Sequence, residues 1–265
     1  MCSSDLLSRL CRMAVAVTLT LGASAAMGAS DGPPKDWQFG VNLYGWFPSV
    51  SGDLKFSPPG GSDDITADAS DILDALQFTF MGSFEARKGP WSGFTDLIYL
   101  DLSGDGAKSV TSGSGASRTL FDGDLNLKGW IWTLGGSYSV WRERGSHLDL
   151  LAGARLLSLD IDLDMTGGGP LQRDRGLSQS VDLWDGIIGA KGRVALNERW
   201  FLPYYFDVGT GDSDITWQAT AGVGYAFDWG EVNLMYRHLA YDQSDNKPLQ
   251  DIAFSGFKLG VGFRF

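Results

Sequence analysis

The sequence predicts an all-β chain: a single antiparallel up-and-down transmembrane β-barrel of about ten strands, with a range of eight to twelve. Three observations carry this. The chain ends on Phe257-Lys-Leu-Gly-Val-Gly-Phe-Arg-Phe265, in which Phe257, Leu259, Val261, Phe263 and Phe265 alternate with Lys258, Gly260, Gly262 and Arg264. Period-two alternation builds a strand with one apolar and one polar face. The connections between such segments alternate between short and long, and the tryptophans gather at segment ends. A strand that leaves an apolar ring and a free carboxylate at its end makes physical sense when its outer face meets lipid and its edge is closed in a barrel.

Ten segments read as strands: 37–48, 77–87, 91–102, 125–141, 147–163, 181–196, 201–209, 215–228, 232–242 and 252–265. In the first, Phe39, Val41 and Leu43 oppose Gln38, Gly40 and Asn42, and in the second Phe78, Phe80 and Phe84 oppose Thr79, Ser83 and Glu85. The eighth alternates from Ile215 to Phe227, with Thr216, Gln218, Thr220, Gly222 and Gly224 on its polar side. Short links at 88–90, 142–146, 197–200 and 228–231 alternate with longer ones around 49–76, 103–124, 164–180, 210–214 and 243–251. Short turns at one end and longer loops at the other suit a barrel of the outer-membrane type, and an even strand number puts both termini on the short-turn, periplasmic side.

Tryptophan placement is independent of alternation. Trp37, Trp91, Trp141, Trp200 and Trp229 sit at the short-turn ends, and Trp46, Trp130, Trp132, Trp184 and Trp217 toward the other. Two belts separated by about ten residues fit aromatic girdles at the two faces of a bilayer. A soluble sandwich would gather these rings in mid-strand.

The ends of the chain agree with export. Arg9 and Arg12 precede the apolar run Met13 to Leu21 and the small residues Gly22 to Ala29. This is the layout of a secretory signal peptide over residues 1–29, cut between 25 and 29, leaving 30–265 as the barrel. The run falls short of the roughly 18 residues a spanning helix needs. Both cysteines, Cys2 and Cys11, fall in the part to be removed, which excludes a disulfide framework and a cysteine-ligated metal site. A formal charge of −11 with no basic cluster argues against nucleic acid as a partner.

Charge placement names the candidate lumen. A charge on the lipid face near mid-membrane costs about 2–4 kcal/mol, so charged residues in these strands belong inside. The phase of each strand sends Glu85, Arg87, Asp185, Lys191, Arg193, Asp207, Arg237, Lys258 and Arg264 inward. Asp96, Asp149 and Arg155 join them, from strands whose broken phase suggests bulges. These residues are a candidate pore lining, or alternatively a salt-bridged, glycine-lined filling of a narrow barrel; about eight strands are just filled by their own side chains.

Residues 49–76 are irregular and acidic, with a turn at Pro58–Gly61 and a short helix over 68–76 capped by Asp68 or Ser70. Ser103 to Ser117 reads as a mobile Gly/Ser-rich loop. Aspartates crowd the proposed outer side, among them Asp53, Asp63, Asp64, Asp160, Asp162, Asp164, Asp242 and Asp251. Solvated acidic loops explain them, and divalent cations bridging them to lipopolysaccharide are the alternative.

The Phe257–Phe265 terminus, the two tryptophan belts and Tyr236-Arg-His-Leu-Ala-Tyr241 resemble the small Gram-negative outer-membrane barrels, of the general kind of the OmpA and OmpW transmembrane domains. The resemblance implies outer-membrane lipid and lipopolysaccharide as surroundings. It also implies that Phe257, Leu259, Val261, Phe263 and Phe265 form the signal read by the barrel-assembly machinery. Enzymatic outer-membrane barrels offer a contrast: omptin-type proteases use Asp and His near the outer rim, and lipid A deacylases a His and Ser pair. The mature histidines here are His147, at a short turn, and His238, on a lipid-facing phase with Asp242 too far along its strand to bond it. No Walker A, HExxH or GxSxG motif occurs. The expectation is a non-enzymatic envelope barrel without a cofactor. Its modes are a narrow porin-like channel for small solutes or a structural barrel that binds through its acidic loops, and the remaining alternative is an outer-membrane hydrolase of the omptin or lipid A deacylase type acting through His238.

Overall fold

The computed structural model describes residues 35–54, 63–67, 76–111, 117–166, 175–243 and 249–265. The expected signal peptide and the short helix after Asp68 lie outside these residues. The elements are β1 (Gln38–Leu54), β2 (Asp63–Ala67), β3 (Leu76–Lys88), β4 (Trp91–Thr111), β5 (Ser117–Glu143), β6 (Ser146–Thr166), β7 (Arg175–Ala195), β8 (Trp200–Gly211), β9 (Ile215–Ala226), β10 (Glu231–Asp242) and β11 (Leu249–Arg264). Each of β3 to β11 pairs antiparallel with its sequence neighbour, and β1 pairs with both β3 and β11. Ten strands thus close a barrel, and β2 is an eleventh, short strand laid on the outer end of β1.

Closure joins the two ends of the chain. Phe39 and Phe265 exchange backbone hydrogen bonds of 2.8 and 3.0 Å, so the terminal strand has no free edge. Following the direct register partners once round the barrel from Gly40 returns to β1 at Gly52, a displacement of 52 − 40 = 12 residues. With ordinary strand spacings, ten strands displaced this far tilt by about 40° and enclose a backbone radius of about 10 Å. That interior is narrow enough for large side chains from opposite walls to meet.

The turns at the chain-terminal end follow from local chemistry. Between β5 and β6 the turn residues are Arg144 and Gly145, with φ of 47° and 80°. Two positive φ values make the primed two-residue hairpin whose twist matches that of the strands.

The outer surface is apolar and aromatic. Leu43, Phe47, Phe84, Leu134, Ile188, Phe206, Leu234 and Phe257 are among its exposed residues. Nine of the ten tryptophans are exposed, Trp37, Trp91, Trp141, Trp200 and Trp229 at one level and Trp130, Trp132, Trp184 and Trp217 at the other. Trp46 is the exception: it is 2% exposed and points into the lumen, because it shares the phase of Gln38, Gly40 and Asn42. A closed ladder with an apolar belt between aromatic girdles is a transmembrane β-barrel of the outer-membrane type.

Two expectations about the outer side are corrected. The stretch from Ser103 to Ser117 is mostly ladder: β4 and β5 pair from Ser103↔Asn126 to Thr111↔Ser117. Likewise β6 and β7 pair as far as Met165↔Arg175. Backbone pairing above a membrane needs no apolar face, so it leaves no alternation to read. The result is a tall wall over β4–β7 beside a low rim at β8 and β9, whose hairpin turns within 212–214.

Candidate functional site: the layered lumen

The lumen is built in three layers. Nearest the short-turn end, Glu231 on β10 accepts from Arg193 on β7 (3.2 Å) and Arg264 on β11 (2.9 Å). Across the barrel Glu85 on β3 accepts from Arg87 (2.7 Å) and from Lys191 on β7 (2.9 Å). Arg87 also pairs with the fully buried Asp149 on β6, and the His147 ring lies 4.0 Å from that carboxylate. Lys191 additionally sits 4.0 Å over the Phe94 ring.

The middle layer holds two buried arginines. Arg237 donates to Asp96 (3.0 Å), to the Tyr44 hydroxyl (3.3 Å) and twice to Gln218 (2.6 and 3.0 Å). Its guanidinium also lies 4.8 Å over Trp46, and Tyr44 donates to Asp96 at 2.5 Å. Arg155 pairs with Asp207, both side chains at 0% exposure, and makes longer contacts of 3.4 Å with Thr133 and Thr216. Lys258 is placed over Tyr44, with 3.7 Å from Nζ to the ring centroid. Among the described residues no carboxylate forms an ion pair with it.

The outer layer is apolar. Tyr44, Trp46, Met81, Ile98, Ile131, Leu157, Leu159, Leu183, Leu239, Tyr241 and Phe254 form one buried cluster across the barrel, with Leu100, Val181 and Ile252 packed against it. This replaces the expected polar, glycine-lined filling over that half of the barrel. It also corrects the suggested bulges in 91–102 and 147–163. The broken phase there comes from apolar residues on the lumenal face: Phe94 and Ile98 in β4, and Leu151, Leu157 and Leu159 in β6. The register shifts that face these two segments lie in their partner strands, between Leu76 and Phe78 in β3 and between Ser139 and Trp141 in β5.

The structure brings Glu85, Arg87, Asp96, Asp149, Arg155, Lys191, Arg193, Asp207, Arg237, Lys258 and Arg264 into this lumen. Asp185 is buried too, but it accepts the backbone N–H of Ser213 at 2.9 Å and so holds the β8–β9 turn in place. Sequence reasoning placed Gln218 on the polar face without a role, and it missed Glu231, Tyr44 and Tyr205. The signal for them was strand phase, which reads uncharged residues as readily as charged ones. Below the apolar layer lies a cavity of about 250 Å³, bounded by Glu85, Asp96, Lys191, Glu231, Arg237 and Lys258. Asn42 Oδ1 faces it, buried and without a partner among the described residues, and the Tyr205 ring lines it as well. A polar cavity of this size has room for several waters at roughly 30 Å³ each.

His238 lies on the outer face, between the exposed Tyr236 and the level of Trp217. Its Nδ1 is 2.6 Å from Ser255 Oγ on β11, its direct register partner, and its ring lies against Trp217 with centroids 4.5 Å apart. The neighbouring strand thus supplies the partner that the sequence left unnamed. No carboxylate bonds the ring among the described residues, so the pair lacks the third group that would orient and charge it as a base. Among the described residues there is also no group of three or more His, Cys, Asp or Glu that could hold a metal ion.

No family model matches the sequence, and no curated protein matches it. Solved structures of similar backbone include the outer-membrane protease OmpT from Escherichia coli, at 10% identity over 90% of this chain and 100% of that one, TM-score 0.46. The translocator domain of the autotransporter NalP from Neisseria meningitidis matches at 16% identity over 86% of this chain and 88% of that one, TM-score 0.44. The toluene transporter TodX from P. putida matches at 11% identity over 89% and 90%, TM-score 0.30. Likeness at this distance carries no functional argument, and the lumen must speak for itself.

Proposed function

We propose that the protein is a non-enzymatic integral component of the Gram-negative outer membrane whose barrel rests closed to solutes. One observation carries this reading: the apolar cluster from Trp46 to Phe254 fills the outer half of the lumen, above a middle layer locked by the Arg237 and Arg155 networks. A conducting water-filled pore is lined by polar groups, and an apolar constriction shuts it by dewetting. Here a hydrated ion would meet side chains such as Leu157 and Leu239, both at 0% exposure. Outer-membrane lipid and lipopolysaccharide are its inferred surroundings, and the assembly machinery is the inferred reader of Phe257–Phe265.

The test is single-channel recording on the refolded protein in planar bilayers. The closed reading expects no steady discrete conductance. A stable conductance that shifts when Lys191, Arg193 or Arg237 is neutralised would establish the narrow-channel alternative, which the charged cavity favours.

A further inference from the structure

The cavity beneath the apolar layer reaches the inner mouth of the barrel. Gly40, Glu231, Gly262 and Arg264, at the chain-terminal ends of β1, β10 and β11, border it. The Arg264 side chain is 59% exposed, so water reaches this entrance. At the far end stands Arg237, its guanidinium against Trp46 of the apolar cluster. The space is a blind pocket entered from the periplasmic side.

Its charges do not balance. Among the described residues three carboxylates border the pocket against four cations. Glu85 is held by Arg87 and Lys191, and Glu231 by Arg193 and Arg264. Both oxygens of Asp96 are engaged, one by Tyr44 and the other by Arg237. Lys258 is the cation left over. Its ammonium lies 3.7 Å from the Tyr44 ring centroid, a contact that attracts a cation without neutralising it. Low-dielectric walls concentrate that surplus positive field in the pocket. Charges withdrawn from water are ordinarily paired, and an anionic group beside Lys258 would complete the pairing.

Two hydrogen-bond acceptors point the same way. Toward the entrance from Lys258, on the same face of β11, come Gly260 and Gly262. Asn233 is the register partner of Gly260, and Asn42 that of Gly262. Both asparagines lean over Gly260: a Cβ there would stand 2.8 Å from Asn233 Oδ1 and 3.0 Å from Asn42 Oδ1. Both oxygens are buried, and neither has a hydrogen-bond partner among the described residues. A buried acceptor left unbonded is costly, so two that converge on one spot suit a donor between them. Lys258 and Gly260 are separated by about 7 Å of strand.

We propose that the pocket is a periplasm-facing site for a small hydroxylated carboxylate, the chemistry of a sugar acid. The ligand carboxylate meets the Lys258 ammonium, and its hydroxyls donate to Asn42 Oδ1 and Asn233 Oδ1. A simple inorganic anion would satisfy Lys258 and leave the asparagines unbonded; a neutral polyol would do the reverse. The cavity of about 250 Å³ accommodates a molecule of this size. The inference goes beyond the closed lumen and does not depend on it, because the same residues would face the periplasm in a conducting barrel.

The experiment is isothermal titration calorimetry on the full mature barrel refolded in nanodiscs. Gluconate is the probe, with acetate, inorganic phosphate and glycerol as comparators. The site expects saturable gluconate binding, at least about tenfold tighter than acetate or phosphate, and no saturable heat from glycerol. Lys258→Met keeps the stem against Tyr44 and weakens gluconate binding by at least about tenfold, with heat-modifiable gel mobility intact. Lys258→Arg recovers most of that loss. Asn42→Ala lowers the affinity for gluconate and leaves that for acetate unchanged. Absence of saturable gluconate binding, binding unaltered in Lys258→Met, or equal affinity for gluconate and acetate overturns the proposal. Steady conductance with gluconate binding intact would count against the closed lumen and leave the site standing.

Discussion

The Arg155–Asp207 pair offers the sharpest test of the lumen's energetics. Asp207→Ala leaves a guanidinium at 0% exposure whose remaining partners, Thr133 and Thr216, stand at 3.4 Å. Stranding a buried charge in this way costs about 3–5 kcal/mol, a large share of the 5–15 kcal/mol that holds a typical domain together. Removing both charges is a different perturbation. Arg155→Met combined with Asp207→Leu replaces the pair by apolar side chains next to an apolar layer, and such exchanges are near neutral or stabilising by about 1–4 kcal/mol. Urea unfolding in phospholipid vesicles, followed by tryptophan fluorescence and heat-modifiable mobility, measures each variant. The reasoning fails if the single variant loses less than about 1 kcal/mol, the range of an exposed pair, or if the double variant is as unstable as the single one. Asp96→Asn sets the comparison: Arg237 keeps Gln218, Tyr44 and the Trp46 ring, so the loss in the same assay is smaller than for Asp207→Ala.

Further outcomes follow from packing and turn geometry. Leu239→Ala opens a cavity in the apolar layer and lowers stability by about 2–5 kcal/mol in urea titrations, without producing steady conductance. In Gly189→Ala the added Cβ stands 2.7 Å from the Asp207 Cα, a backbone atom that cannot give way, and the variant fails to show the heat-shifted folded band on gels. Gly145→Val forces a β-branched residue to φ near 80° and slows refolding into vesicles, with the final spectrum unchanged.

Much of the barrel was legible because lipid imposes a simple rule on half of every strand. Phe78, Phe80, Leu234, Phe257 and Leu259 all stand at the outward positions that alternation assigns, and the charged residues oppose them. The rule fails where the other side of the wall is apolar too. Phe94, Ile98, Leu151 and Leu157 blurred the phase of β4 and β6 because alternation cannot separate a lipid-facing leucine from a plug-facing one. Trp46 was misplaced for the same reason, since a tryptophan near a segment end suits a girdle or a core equally well. Which partners the charges take was not legible at all. Arg237 meets Asp96 across 141 residues of chain and Arg155 meets Asp207 across 52, distances set by shear and tilt that no local pattern encodes.

These two kinds of layer bear differently on how the sheet holds its register. A one-residue slip of a strand reverses its faces. In the inner half, a slip of β10 would drive Arg237 into lipid and break its bonds to Gln218, Asp96 and Tyr44, so polarity enforces the register there. In the outer half the same slip exchanges one apolar side chain for another, and polarity is nearly silent. Register there rests on shape and on a few directed bonds, such as Trp46 Nε1 to the Gly256 carbonyl at 3.3 Å and Thr216 Oγ1 to the Ala240 carbonyl at 3.0 Å. β1 and β3 lack a ladder in that weakly specified zone, whereas over Gln38–Leu43, beside Glu85 and Arg87, they are fully paired. The laddered stretch of β1 and β3 is thus the one that encloses the ion-paired layer of Glu85, Arg87 and Lys191.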